Sequence, residues 1–121
     1  MNINATMARE VWPLFAVGND FRAAVEKVPN TAMRNLLAAS IEAQVPEELL
    51  IFLQYQQGRR ILDTQATQQI EKQIKRLCAA SLRLQNSQAL PDKDLQTIAE
   101  DLKKVRAFLG HVVRMHRALV L

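Results

Sequence analysis

Apolar residues recur along this chain at the three- and four-residue spacing of amphipathic helices, and no segment alternates apolar and polar residues over the length of a strand. Strong helix formers, namely Ala, Leu, Gln, Glu, Lys and Arg, dominate the sequence. The pattern therefore predicts an all-α fold: a compact bundle of about five helices with a long C-terminal helix. At 121 residues the chain has the length of one domain, which we place at 1–121.

The first predicted segment covers about residues 5–27, up to the turn before Asn30. Within it, Gly18-Asn19-Asp20 can divide the helix, with Asn19 or Asp20 capping the second piece, because both side chains accept backbone N–H bonds. Four residues are expected to supply the apolar contacts of this segment: Trp12, Phe15, Ala16 and Phe21.

Two further helices are predicted on either side of Pro46. The earlier one begins with Asn30 or Thr31 as its N-cap and stops before Pro46, since the residue preceding a proline is pushed away from helical angles. The later one opens with Pro46-Glu47-Glu48, a proline in the first turn followed by acids, and ends near Gly58. The expected buried stripe of the earlier helix consists of Met33, Leu36, Leu37 and Ile41.

The remaining sequence predicts two helices joined by a loop at 86–90. The fourth helix covers roughly 64–85, and its stripe consists of Ile70, Ile74, Leu77, Ser81 and Leu84. The fifth opens with Pro91-Asp92-Lys93-Asp94 and continues towards Leu121, which gives a length of roughly 40 Å. Its stripe consists of Leu95, Ile98, Leu102, Val105, Leu109, Val112 and Val113.

Positive charge is concentrated in the second half of the chain, since residues 1–57 carry four bases and six acids whereas residues 58–121 carry twelve bases and six acids. This asymmetry fits a polyanionic partner such as RNA. Helical spacing places Lys72, Arg76 and Arg83 on one face of the fourth helix, with Lys75 beside them. On the fifth helix one face holds Lys103, Arg106, Gly110, Arg114 and Arg117. The alternative is that these charges form ordinary solvated helix faces.

Aromatic residues are few, and Phe108 is the one that falls among the basic stripes, so contact with the RNA backbone is favoured over base stacking. The sequence has no metal-binding motif and no phosphate-cradling glycine loop, so we expect neither a metal ion nor a cofactor. Cys78 and His116 lie on or beside apolar stripes and are expected in the core. No apolar run is long enough to span a bilayer and the N-terminus carries no secretory pattern, so a cytoplasmic protein is expected.

One string suggests an enzyme. Arg106-Ala-Phe-Leu-Gly-His111 has the R-x4-H form and resembles the signature of the HEPN family of all-helical ribonucleases. That resemblance implies metal-independent RNA cleavage, with Arg106 and His111 as phosphate stabiliser and acid or base. A third alternative is a helical protein–protein adaptor whose basic stripes bind acidic protein surfaces.

Two other strings resemble the small helical subunit of type III CRISPR–Cas effector complexes. The sequence from Val28 to Leu37, VPNTAMRNLL, is similar to the T-x-x-[ILM]-R-[NK]-[LI]-L opening of that family. Some twenty residues later, FLQYQQGR from Phe52 to Arg59 is similar to its [FVY]-x-Y-Q-x-[GA]-R string. Tyr55 and Gln56, inside the second string, are expected to pack between helices.

The resemblance implies a non-catalytic subunit of an RNA-guided antiviral ribonucleoprotein. Several copies would associate along a guide RNA–target RNA duplex beside other effector subunits, and base pairing would read the sequence. We therefore favour an RNA-contacting subunit over the ribonuclease and the adaptor. The residues predicted to contact RNA are Arg34, Arg59, Arg60, Lys75, Arg76, Arg83, Arg114 and Arg117.

Overall fold

The computed structural model describes residues 2–84 and 92–120, and it confirms the all-α fold with a long C-terminal helix. Within these two ranges the chain forms seven helices: α1 (Ile3–Leu14), α2 (Asp20–Val25), α3 (Asn30–Glu42), α4 (Pro46–Gly58), α5 (Thr64–Leu77), α6 (Ala79–Leu82) and α7 (Asp92–Val120). The predicted loop at 86–90 and the predicted opening at Pro91 lie outside the described residues. No helix in the described ranges is long and apolar enough to cross a membrane.

The long helix α7 organises the bundle, since it packs most extensively against α1 and α3. The Arg106 guanidinium of α7 donates to the carbonyl oxygens of Ser40 and Ala43 at the end of α3, at 2.9 and 3.0 Å. Val113, two turns later, lies beside Asn30 at the start of α3. Helices α3 and α7 are therefore antiparallel, and the second half of α7 lies next to the N-terminus of α3.

The first predicted segment divides as the sequence indicated. Asn19 caps α2, its Oδ1 accepting the Phe21 N–H at 2.8 Å.

The core contacts expected of this first segment are only half correct. Phe15 and Phe21 are buried and meet edge-to-face with ring centroids 5.7 Å apart, but Trp12 is 72% exposed and Ala16 is also exposed. The buried row of α1 instead runs through Met7 and Val11 at i, i+4 spacing, which leaves Trp12 on the next, solvent-facing row.

Helix α3 begins at Asn30, but its N-cap is Pro29 and no side chain caps it, so the predicted capping by Asn30 or Thr31 is wrong. Its buried face contains Met33, Leu36 and Ser40, and Leu37 is half-buried. The predicted Ile41 is exposed, because α7 covers the row through Ser40, and Ile41 lies 100° beyond it. Helix α4 begins at Pro46 with Glu47 and Glu48 in its first turn, which confirms that boundary.

The predicted fourth helix is interrupted at Cys78, where α5 ends and the short α6 begins. The buried Asp101 of α7 holds α6 just after this break, since its Oδ2 accepts the Ser81 N–H at 3.0 Å and the Ser81 hydroxyl at 2.5 Å. Arg83 therefore follows α6 and does not continue the basic face of α5. The prediction of one continuous basic stripe through Lys72, Arg76 and Arg83 is wrong for this reason.

Both residues expected in the core are buried. Burial, followed by the nearby charge of Asp101, raises the pKa of the Cys78 thiol to about 12, so the thiol stays protonated and unreactive near neutral pH. His116 is 1% exposed, and its Nε2 donates to the carbonyl oxygen of Val28 at 2.6 Å. On α7 the predicted stripe is buried from Ile98 to Val112, but the predicted Leu95, near the start of α7, is exposed.

Candidate nucleic-acid interface

The two strings that resemble the CRISPR small subunit meet at one end of the α3–α4 pair. The two helices are joined by the short segment 43–45, and Asn35 and Gln56 line the same surface groove between them. Asn35 belongs to the first string and Gln56 to the second. The fold therefore brings together residues that are some twenty positions apart, at the end of the pair that holds the N-terminus of α3 and the C-terminus of α4.

Arg34 and Arg117 line one cavity between α3 and α7. Both residues are exposed, and among the described residues neither forms an ion pair. Arg114 lies one turn before Arg117 on α7, and its Nη1 is 3.3 Å from Nδ1 of His111. Since α7 runs antiparallel to α3, these three arginines lie at the same end of the bundle.

Arg59, the C-cap of α4, and Arg60 after it add two cations near the C-terminus of α4. The Arg59 guanidinium lies 5.6 Å from the centroid of the Tyr55 ring and donates to its hydroxyl oxygen at 3.4 Å. Tyr55 is 57% exposed, so the expectation that it packs between helices is wrong, although Gln56 is half-buried. Tyr55 lies one turn before Arg59 on the solvent-facing row of α4, which explains both its exposure and its contact with the guanidinium.

Arg60 has a backbone conformation that normally favours glycine. Its φ is +61°, its N–H bonds to the Gln57 carbonyl, and the next N–H, that of Ile61, bonds to the Gln56 carbonyl. These two bonds form a Schellman motif, in which glycine usually occupies the left-handed position. In this chain the glycine, Gly58, lies two residues earlier and the strained position carries a cation. Backbone strain of this kind clusters at functional sites, which makes the Arg60 side chain a candidate functional group.

We expect Arg60→Gly to raise the free energy of unfolding by about 1 kcal/mol, because the substitution relieves a left-handed conformation that costs a side chain about that much. Denaturant unfolding measures the change. Arg59→Gly is the matched control, because Arg59 has φ −83° and gains nothing from glycine, so its stability should fall. If the chain binds RNA through Arg60, Arg60→Gly also weakens RNA binding. A less stable Arg60→Gly protein would contradict the strain argument.

The other predicted basic residues have different surroundings. Lys75 pairs with Glu71 at 2.7 Å, and Arg76 pairs with Glu10 of α1 at 2.8 Å. Both side chains are therefore partly neutralised, and Arg76 has a structural role in joining α1 to α5. Arg83 is exposed and serves as the C-cap residue of α6. The structure thus distinguishes Lys75 and Arg76, which have acidic partners, from the five arginines above, which have none among the described residues.

The R-x4-H string has its side chains held by backbone groups on two different helices. Arg106 bonds to carbonyl oxygens of α3, as described above, and His111 Nε2 lies 2.9 Å from the carbonyl oxygen of Asn4 on α1. With Arg114 donating to Nδ1, the ring is a donor through Nε2. Phe108, inside the same string, is fully buried and belongs to the core. These contacts give Arg106 and His111 a role in packing α7 against α3 and α1.

In the two described ranges no group of three or more His, Cys, Asp or Glu side chains is arranged to hold a metal ion. Comparisons with protein-family models, with curated proteins and with solved structures found no match for this chain. The resemblance to the small CRISPR subunit is therefore carried by the two strings alone. The sequence did not indicate that Asn30 and His116 line the same cavity as Arg34 and Arg117.

Proposed function

We propose that this chain is a non-catalytic helical subunit that contacts RNA through the α3–α4 end of the bundle. We name the basic surface there the hairpin-end patch, and it consists of Arg34, Arg59, Arg60, Arg114 and Arg117. The observation that carries the proposal is that Arg34 and Arg117 line one cavity and, like the exposed Arg59, Arg60 and Arg114, form no ion pair within the described residues. Solvated helix faces, in contrast, commonly intersperse both signs of charge, as Lys75 and Glu71 do.

The chemistry of the patch suits the RNA backbone. An arginine guanidinium pairs in a planar fork with two phosphate oxygens, and such contacts fix the position of a nucleic acid without reading its bases. The aromatic ring that stacks with a patch arginine is Tyr55, and the Arg59 guanidinium already covers one of its faces. We therefore expect affinity to depend strongly on salt and weakly on RNA sequence.

The cellular role follows the resemblance of the two strings. We propose that several copies associate along a guide RNA–target RNA duplex in the cytoplasm, together with other effector subunits. Base pairing would supply specificity, and this chain would supply phosphate contacts. Lys75, Arg76 and Arg83 remain predicted contacts on a second surface, where the bonds of Lys75 and Arg76 to glutamates would have to be exchanged for phosphate.

Purification of the tagged chain from its native cells tests this role. The RNA that accompanies it is sequenced, and the proteins in the same sample are identified. We expect short RNAs that share one repeat-derived end, within a multi-subunit assembly. A single protein partner without enriched RNA would replace the proposal with the adaptor. RNA fragments cut at recurring sites, absent in His111→Ala, would replace it with the ribonuclease.

A further inference from the structure

The cavity between α3 and α7 is a recess of about 150 Å³. It is lined by Asn30, Arg34, Val113, His116 and Arg117. A single ordered water needs a cavity of roughly 10–15 Å³, so a group with several oxygen atoms fits. The asparagine amide and both guanidinium groups carry N–H donors, and none of the lining side chains is acidic.

Two kinds of positive charge converge on this recess. Arg34 and Arg117 contribute two guanidinium groups, which among the described residues have no carboxylate partner. Asn30 is the first residue of α3, and no side chain caps this helix, so its first-turn N–H groups add a partial positive charge. The recess therefore has an excess of charge that a compact anion would neutralise.

The buried His116 holds the wall of the recess in place. Its Nε2 bond to the Val28 carbonyl oxygen, at 2.6 Å, ties the segment before α3 to α7. That segment leads through Pro29 directly into the first turn of α3. The α7 backbone at Arg117 and the start of α3 are therefore positioned relative to each other by a bond in the core, and the recess is formed before any ligand binds.

We propose that this recess binds a dianionic phosphomonoester, the group found at a phosphorylated RNA end and on a free nucleotide. A monoester carries a charge of about −1.5 to −2 near neutral pH and three terminal oxygens, which matches two guanidinium groups and a helix N-terminus. An internal phosphodiester carries one charge and is flanked by chain on both sides, so it enters a recess less readily. Binding of an RNA end rests on the function proposed above, whereas binding of a nucleotide does not.

Two titrations of the full chain test the proposal and distinguish the two sources. The first compares one single-stranded RNA with a 5′-phosphate, a 3′-phosphate or hydroxyl groups at both ends. The second compares AMP with adenosine by calorimetry. We expect either the 5′-phosphorylated or the 3′-phosphorylated RNA to bind about tenfold more tightly than the RNA with hydroxyl groups at both ends, because one charge-assisted contact pair contributes about that much. We expect AMP to bind and adenosine not to bind.

Substitutions assign the preference to the recess. Arg34→Met and Arg117→Met should abolish the difference between phosphorylated and hydroxyl RNA. Arg59→Met, outside the recess, should weaken both forms equally and keep their ratio. Thermal unfolding of each variant controls for folding. RNA binding without any end preference, and without AMP binding, would overturn this inference and leave the hairpin-end patch intact. AMP binding that depends on Arg34, in a chain that binds no RNA, would support the recess and overturn the RNA function.

Discussion

Asp101→Ala is expected to lower the free energy of unfolding by about 3 kcal/mol, one of the largest effects of any single substitution in this chain. The Asp101 side chain is almost fully buried in the core. It accepts both the hydroxyl and the backbone N–H of Ser81, and its Oδ1 lies 3.5 Å from Lys104 Nζ. Alanine would leave the buried Ser81 N–H without an acceptor, and would leave the Ser81 hydroxyl with only its 3.4 Å contact to the Thr97 carbonyl oxygen, inside α6.

Denaturant unfolding measures this loss, and two further variants serve as comparisons. Asp101→Asn keeps one acceptor oxygen and should lose only about half as much stability. Glu100→Ala removes a neighbouring acid that is exposed on the same helix, and should change stability by less than about 0.5 kcal/mol. Equal losses for Asp101→Ala and Glu100→Ala would show that the buried contact with Ser81 does not hold α6 in place.

Charge reversal in the hairpin-end patch should produce the largest effect on RNA binding. We expect Arg34→Glu to reduce the affinity for RNA about tenfold, and the double variant Arg34→Glu/Arg59→Glu about a hundredfold, because each change removes one charge-assisted phosphate interaction and adds repulsion. The reduction should be the same for RNAs of unrelated sequence. The slope of log affinity against log salt should fall by about one for each arginine–phosphate pair that the substitutions remove.

Lys93→Glu is the matched control, because it changes the net charge by the same amount as Arg34→Glu. Lys93 is exposed at the start of α7, about 36 Å along the helix from Arg117. The affinity of the Lys93→Glu protein for RNA should stay within about twofold of the wild type at moderate salt, since screening removes charge effects beyond roughly 10 Å. An equal reduction in Lys93→Glu and Arg34→Glu would mean that overall charge, and not the patch, governs binding.

Arg76 and Arg34 have the same helical setting but different partners. Both are exposed arginines on amphipathic helices, and helical spacing alone treats them alike. Arg76 forms a 2.8 Å ion pair with Glu10, which is 66 positions away in sequence. Reversal of Arg76 would therefore break the ion pair that links α5 to α1, and a weaker RNA affinity could not be assigned to phosphate binding alone. Arg34 is the sharper probe for this reason.

The sequence by itself determined the features that depend on local interactions. The helical fold, the start of α4 at Pro46, the cap of α2 at Asn19 and the burial of the Ile70–Ile74 row all follow from capping chemistry and helical periodicity. The basic character of the chain follows from its composition alone. The burial of His116 follows from periodicity, because a residue on an apolar stripe usually faces the core.

Only the tertiary structure decided which of several suitable residues pack together. Trp12 and Val11 are adjacent and both apolar, and the position of α1 on α7 decides that Val11 is buried. Likewise the position of α6 after the break at Cys78 depends on Asp101, 23 positions after Cys78, and the recess of Arg34 and Arg117 depends on the antiparallel packing of α3 and α7. Local sequence cannot specify these contacts, because each is a choice between helix faces that periodicity makes equivalent and long-range packing alone distinguishes.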